Sequence, residues 1–376
     1  MTAHVLLAAS LLAQQGDSPP PRSAPTAEEV RAAIDRGLAL LVREQNRDGS
    51  WGGPRNKTFT DSFANAATHD AWIAGTTGLV ATALVETGKT AEAQSALDRG
   101  LEYLVRNAPV KRPAEWDIDN VWGMIYGLQG LSRAMASPRY SSSPRREALR
   151  EAALILLEDL ARYQSPNGGW AYYASPGSAW RPEWATSFTT AVGVLALLDA
   201  RAAGLPVNEK VLQAAVRTVK RCRLPTGAYT YSWSPIPSPG RLTFFDQVKG
   251  SLSRIQVGNL ALLRAGERMP PAELERGLGL FFEHHKFLDC GLRKPIPHEA
   301  YYAVAAYFYL FGHCYAAEVI EALPPASRAR YWPQLQREVL KTQEPDGGFW
   351  DFWISSHTKP YGTAFAILAL ERSLRG

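Results

Sequence analysis

The sequence predicts an all-α fold in which six helical hairpins close into a double-walled ring, an α6/α6 toroid. Three observations carry this. A helix end built as Gln, tight turn, aromatic recurs as RGLALLVREQNRDGSW (36–51), ARYQSPNGGW (161–170) and KTQEPDGGFW (341–350). Helices with one apolar stripe alternate with helices that are apolar all round. The alternation returns on the order of every 60 residues, so six units account for residues 27–376.

The units follow in order. Thr26 before Glu28 and Glu29 caps a first helix and places negative charge in its first turn. Val30, Ile34, Leu38, Leu41 and Val42 then form one apolar face. Ala71–Val85 is a helical stretch without a charged residue, ended by Gly88. The same pairing predicts outer helices near 27–46, 90–107, 144–164, 208–223, 271–287 and 328–343. Inner helices are predicted near 71–87, 120–136, 186–203, 250–265, 298–321 and 360–374. The tripeptide Arg-Gly-Leu marks one register in three outer helices, at 36–38, 99–101 and 276–278. A helix with one apolar stripe has a face in water, whereas one apolar on all sides is enclosed. An open solenoid would need a polar capping unit at each end. The last helix is as apolar as the middle ones, which favours closure.

Composition bounds the function classes. Hydrophobic residues make up 46% and charged residues 20% of 376, and the net charge of +5 is spread over several helices. No nucleic-acid partner is therefore expected. Three separated cysteines (Cys222, Cys290, Cys314) exclude a disulfide scaffold. Val5–Ala13 is a short apolar run ending in small residues, like the core of an export signal, although Met1–His4 carries no Lys or Arg. The expectation is a periplasmic or secreted protein, cytoplasmic if the segment is no signal. The expected division is a signal-like segment and Pro-rich linker over residues 1–26 and a single toroid domain over 27–376. No later segment reads as a membrane span.

In the repeated turn, Asn or Asp before Gly supplies the geometry, and Gln and Trp are expected to brace neighbouring units rather than do chemistry. RGLALLVREQNRDGSW resembles the QW repeat of squalene–hopene and oxidosqualene cyclases, and QEPDGGFW is similar to repeats in protein prenyltransferase β subunits. YLFGHCYAAEVIEAL and RYWPQLQREVLKTQEPDGGFW resemble bacterial prenyltransferase/squalene-oxidase-repeat proteins. The resemblance implies the toroid fold, a terpenoid-cyclase-like or prenyltransferase-like cavity, and an apolar, isoprenoid ligand that could be drawn from a membrane surface.

In a toroid the starts of the inner helices meet at one mouth. The polar residues there are His69 and Asp70, then Asp117, Asp119 and Asn120, then Glu183, His298, Glu299 and His357. Trp122, Tyr126, Tyr301 and Tyr302 are expected to line the cavity below. WDIDN at 116–120 resembles the DxDD acid motif of class II terpene cyclases, with Asn120 in place of the last Asp. That likeness makes Asp119 the proton donor and Asp117 the group that tunes it. Clustered carboxylates raise one another's pKa, and aromatic faces stabilise a carbocation. The plainer reading of Asp119 or Asn120 is an N-cap for the helix beginning at Val121.

No cofactor is expected. Zinc is the one metal the prenyltransferase likeness raises, through Asp289-Cys290 with His357, although Asp and Cys are adjacent here rather than separated. His298, Glu299 and His357 are a second zinc set. His284-His285 is read as an outer-helix end and His313 as a hydrogen-bonded core residue. Two other functions stay open. One is a non-catalytic repeat module that binds protein or peptide. The other is an exported glycan-active barrel using Asp117, Asp119, Glu183 and Asp351 with Trp116, Trp180, Trp184 and Trp353. Oligomeric state is not legible.

Overall fold

The computed structural model describes residues 23–54, 66–110, 120–172, 184–233, 244–296, 298 and 301–375. The N-terminal signal-like run lies outside them. The outer helices are α1 (Ala27–Arg43), α3 (Ala91–Arg106), α5 (Arg146–Tyr163), α7 (Glu209–Cys222), α9 (Pro271–Glu283) and α12 (Pro325–Leu340). The inner helices are α2 (Ala66–Thr87), α4 (Asn120–Ala136), α6 (Ser187–Ala202), α8 (Leu252–Arg264), α11 (Phe308–Glu321) and α13 (Thr358–Arg375). A short α10 (Lys286–Gly291) follows α9. The inner helices touch in a cycle, α2 to α4, α6, α8, α11, α13 and back to α2. The chain is an (α/α)6 toroid.

Local chemistry sets the helix ends. Thr26 Oγ1 accepts from the Glu29 amide at 3.1 Å while Glu29 Oε2 accepts from the Thr26 amide at 2.7 Å, a complete capping box for α1. Inner α6 is buried from Ser187 through Ala200, as a helix ringed by neighbours must be. The fifth inner helix differs from its expected span of 298–321. It begins at Phe308, because residues 301–307 run through turns, with Ala303 at φ 48°.

The repeated turn is a brace with the same bonds each time. The Gln45 amide donates to the Gly49 carbonyl (2.9 Å) and to Ala96 on the next outer helix (2.8 Å). Gln164 donates to Gly168 (2.7 Å) and Val211 (2.8 Å), and Gln343 to Gly347 (3.0 Å) and Ala33 (2.8 Å). Trp51 and Trp170 bond the carbonyls of Leu41 and Leu160, at 2.7 and 2.9 Å. Their own amides bond Thr77 and Thr190 on the inner helices, as Phe349 bonds Thr363. The Arg-Gly-Leu marker is the receiving half. Arg99 donates to Gln45 Oε1 at 2.9 Å, Arg36 to Gln343 Oε1 at 2.5 Å, and Arg276 to the Thr226 carbonyl at 3.3 Å. Gly100 is small because Trp51 lies against it: an added Cβ would stand 2.7 Å from the indole. Gln343 bonding Ala33 and Arg36 joins the last unit to the first, and the ring shuts.

A second ring seals the opposite end. Each inner helix contributes one charge from its last turn, and the signs alternate: Glu86, Arg133, Asp199, Arg264, Glu318 and Arg372. Arg133 pairs with Glu86 and, at 2.9 Å, with Asp199; Arg264 reaches Asp199 at 2.6 Å and Glu318 at 3.9 Å. Arg372 completes the circuit to Glu318 at 3.5 Å and Glu86 at 3.1 Å. The carboxylates stand where the helix dipoles are negative, so they persist there only beside the arginines. Burial works against the charge on Asp199, but Arg133 and then Arg264 outweigh it and hold the carboxyl below its ordinary value.

This gives a signed prediction. A carboxyl with a lowered folded-state pKa stabilises fully above the unfolded value and loses that stability as pH falls through the folded one. Asp199→Asn should cost about 3–5 kcal/mol at neutral pH and flatten the acid limb of stability below about pH 4. Urea unfolding at pH 7 and pH 3 checks it. A change under about 0.5 kcal/mol at pH 7 would show that the charges do not act as a ring.

Candidate functional site

The starts of the inner helices surround a cavity of about 290 Å³. Its wall is aromatic because α4 and α13 each present two aromatic residues four apart on one face, and α2, α6 and α11 add one each. Trp122 and Tyr126 come from α4, Tyr361 and Phe365 from α13, Phe188 from α6, and Trp72 with Thr76 and Leu79 from α2. Phe311, Tyr172, Tyr307, Phe352, Ile354, Gly75 and His357 complete the described wall. Trp122 stacks on Tyr126 (6.0 Å) and Phe188 (6.1 Å), while Phe188 meets Phe308 (5.1 Å) and Tyr126 meets Phe365 (6.0 Å) edge to face. No carboxylate, lysine or arginine stands on this wall among the described residues.

The polar corner is a histidine pair. His357 Nε2 lies 3.4 Å from Nδ1 of His69, with the two rings nearly parallel at 5.7 Å, and Trp72 meets both edge-on. His357 Nδ1 lies 3.4 Å from Thr76 Oγ1. Burial, and then the neighbouring His69, push His357 down to about 3, so its imidazole is neutral. The first repeated turn holds it in place. Gly52 (φ 89°) lies so near the ring that an added Cβ would stand 2.2 Å from Nδ1. The Gly53 carbonyl accepts from Ser355 Oγ at 2.8 Å and the Ser356 amide at 3.2 Å. Ser355 takes φ 45°, a left-handed conformation that a side-chain-bearing residue adopts only when its surroundings impose it.

Behind the wall, Asp351 is fully buried. Its carboxylate accepts from the Leu310 amide (2.8 Å) and the Tyr361 hydroxyl (2.6 Å), so unit six holds the start of α11. Burial raises it to about 6 against those hydrogen bonds. Buried Arg254 lies over Tyr231 at 5.3 Å and donates to the carbonyls of Tyr229 (3.3 Å) and Phe245. Desolvation lowers it to about 10.

No protein-family model matches the chain, and no curated protein matches it. Solved structures do. The type II terpene cyclase MstE from Scytonema superposes with a TM-score of 0.52 at 15% identity, covering 93% of this chain and 99% of that one. The GH76A α-1,6-mannanase of Salegentibacter sp. HEL1_6 gives 0.56 at 13%, covering 92% and 100%. A protein described as a possible member of the GH105 family, from Salmonella enterica, gives 0.54 at 16%, covering 95% and 97%. An MstE variant is seen with geranylgeranyl dihydroxybenzoate as substrate, and an inactive GH76A variant with α-1,6-mannotetrose. What they share with this chain is the (α/α)6 fold.

The positions singled out from the sequence divide as follows. His69, His357, Trp122 and Tyr126 converge at the cavity end. Asp70 is exposed beside them. His298 stands near the same end with φ 67°, its Nδ1 3.0 Å from the Ala303 carbonyl and its Nε2 3.4 Å from the Tyr307 hydroxyl. Burial, partly offset by that carbonyl, lowers its pKa. Asp117, Asp119, Glu183 and Glu299 lie outside the described residues, as do Trp116 and Trp180, and Asn120 is described only as the first residue of α4. Tyr301 and Tyr302 are corrected. Tyr301 is 70% exposed and Tyr302 packs on Phe287, because α11 starts beyond them; Tyr307 and Phe311 take the wall positions instead. Trp353 is 53% exposed and off the wall. Sequence reading missed Thr76, Tyr172, Phe352 and Tyr361, though the four-residue spacing of Trp72–Thr76 and Tyr361–Phe365 was a usable signal.

The metal candidates also change. Asp289 does not meet His357; its carboxylate faces His285 (3.2 Å) and Lys341 (2.6 Å), and Cys290 is exposed. His285, Asp289 and Glu338 offer ligand atoms within 4.8 Å of one another, a group able to hold a metal ion, on the outer side of α11. Lys341 pairs with both carboxylates there. Burial opposes the charge on Asp289, yet His285 and Lys341 hold it at about 2. His313 is the buried core residue expected, bonded to the Tyr309 carbonyl at 2.7 Å and to His285 at 3.0 Å.

The neutral imidazole is testable. A histidine with a lowered folded-state pKa costs stability as pH falls from about 6.5 towards 3, by about 1.4 kcal/mol per pH unit. ¹⁵N NMR should show no titration of His357 between pH 5 and 8. A midpoint inside that window would contradict the burial of the pair.

Proposed function

We propose that the protein is a terpenoid-cyclase-like toroid that takes an apolar isoprenoid into its central cavity, with Asp119, tuned by Asp117, as the acid that starts cyclisation. The observation that carries this is the wall itself, built from aromatic faces without a carboxylate among the described residues. Such faces bury apolar carbon and favour developing positive charge. A glycan-active barrel would present carboxylates to its sugar about 5–10 Å apart. Of the carboxylates that reading would use, Asp351 lies behind Tyr361 rather than on the wall, and Asp117, Asp119 and Glu183 lie outside the described residues. A repeat module serving only as a scaffold would have a filled centre. A substrate-bound terpene cyclase and a mannotetrose-bound mannanase share this fold, so the isoprenoid choice rests on the wall and on the resemblance of the repeat to that of the squalene cyclases.

Incubation with geraniol and with longer linear polyprenyl alcohols tests the reading. The wild type should yield cyclised hydrocarbon or alcohol, and Asp119→Asn should lose about 100-fold or more, as expected for removal of a general acid. Equal yields would remove Asp119 from the mechanism. Failure of the wild type to bind or turn over any polyprenyl chain would remove the isoprenoid assignment.

A further inference from the structure

Each tyrosine hydroxyl around the cavity already has a protein partner. Tyr126 is bonded to Tyr315, Tyr172 to Tyr231 (2.6 Å), Tyr307 lies 3.4 Å from His298, and Tyr361 is bonded to Asp351. Apart from indole N–H groups, which donate only, this leaves the His357 imidazole and the Thr76 hydroxyl as the polar groups of the described wall. They are adjacent, with Nδ1 of His357 3.4 Å from Oγ1 of Thr76, at the long end of the hydrogen-bond range, while Nε2 of His357 faces His69. The imidazole is wedged by Gly52 and by the Ser355 and Ser356 bonds to Gly53, so it is fixed before any ligand arrives. A neutral imidazole offers one donor and one acceptor nitrogen, and a hydroxyl offers both roles.

We propose that His357 and Thr76 form a hydroxyl-recognition point, so that the cavity selects a neutral apolar alcohol over the matching hydrocarbon and over charged derivatives. This rests on the apolar-cavity reading above and adds the functional group of the ligand. A single alcohol between Nδ1 of His357 and Oγ1 of Thr76 replaces one long contact with two hydrogen bonds. A diphosphate or carboxylate would enter an apolar wall that carries no cation among its described residues. The volume of about 290 Å³ holds on the order of ten non-hydrogen atoms at roughly 30 Å³ each, the size of a C10 alcohol.

Quenching of Trp72 and Trp122 fluorescence by geraniol, myrcene and geranyl diphosphate measures this on the full chain. Geraniol should bind the wild type about five- to ten-fold tighter than myrcene, the worth of one net hydrogen bond, and geranyl diphosphate more weakly than either. His357→Phe keeps the ring and should equalise geraniol and myrcene. Thr76→Val should narrow the preference and serves where His357→Phe does not fold. Equal binding of geraniol and myrcene by the wild type, a preference that survives both substitutions, or tighter binding of the diphosphate would overturn the hydroxyl point and leave the apolar cavity standing. No binding of geraniol or myrcene would overturn both.

Discussion

Closure is the constraint from which the rest of the molecule follows. A helix apolar on every side survives in water only if neighbours cover it all round, and a linear row of hairpins always leaves two ends uncovered. Here the amide of Gln343 reaches Ala33 and Arg36 reaches back to Gln343, so unit six uses on unit one the bonds that Gln45 uses on Ala96. Because one bonding pattern serves both neighbouring units and chain ends, the first and last units need no special caps. The inner helices α2 and α13 are buried over most of their length, as α6 is.

The two faces of the ring are then divided by charge. At the helix C-termini six alternating charges neutralise one another, a pattern that a shift of one inner helix by a turn would break. Buried pairs of this kind add little net stability but penalise misregistered arrangements strongly. At the N-termini no such ring exists among the described residues, and aromatic side chains leave space between them. The polar end seals, and the aromatic end receives. That asymmetry puts the histidine pair at the open end, where the turn of unit one wedges the loop of unit six.

Much of this was legible in the sequence. The outer helix expected at 90–107 is Ala91–Arg106, and the inner one expected at 120–136 is Asn120–Ala136. Gln45, Trp51, Gln164, Trp170 and Gln343 brace as their recurrence implied, because turn chemistry and side-chain reach are local properties. The fifth inner helix was misplaced at its start, since YYAVAAYFYLF is apolar throughout and carries no periodicity to mark where turns give way to helix. Tyr301 and Tyr302 were misassigned for that reason alone. The charge ring was invisible: Glu86 or Arg264 by itself reads as an ordinary charge at a helix end, and only closure brings six of them together. Phe352 and Ile354 reach the wall from a loop whose path no pattern reports.

The aromatic hollow at the centre of the ring is the claim most exposed to direct measurement. Crystals of the protein soaked with bromobenzene report its contents through the anomalous signal of bromine. The structure predicts one dominant bromine peak among Trp122, Phe188 and Phe365, with His357 at the edge of the density. Side chains filling that centre, with bromine found elsewhere on the surface, would contradict it.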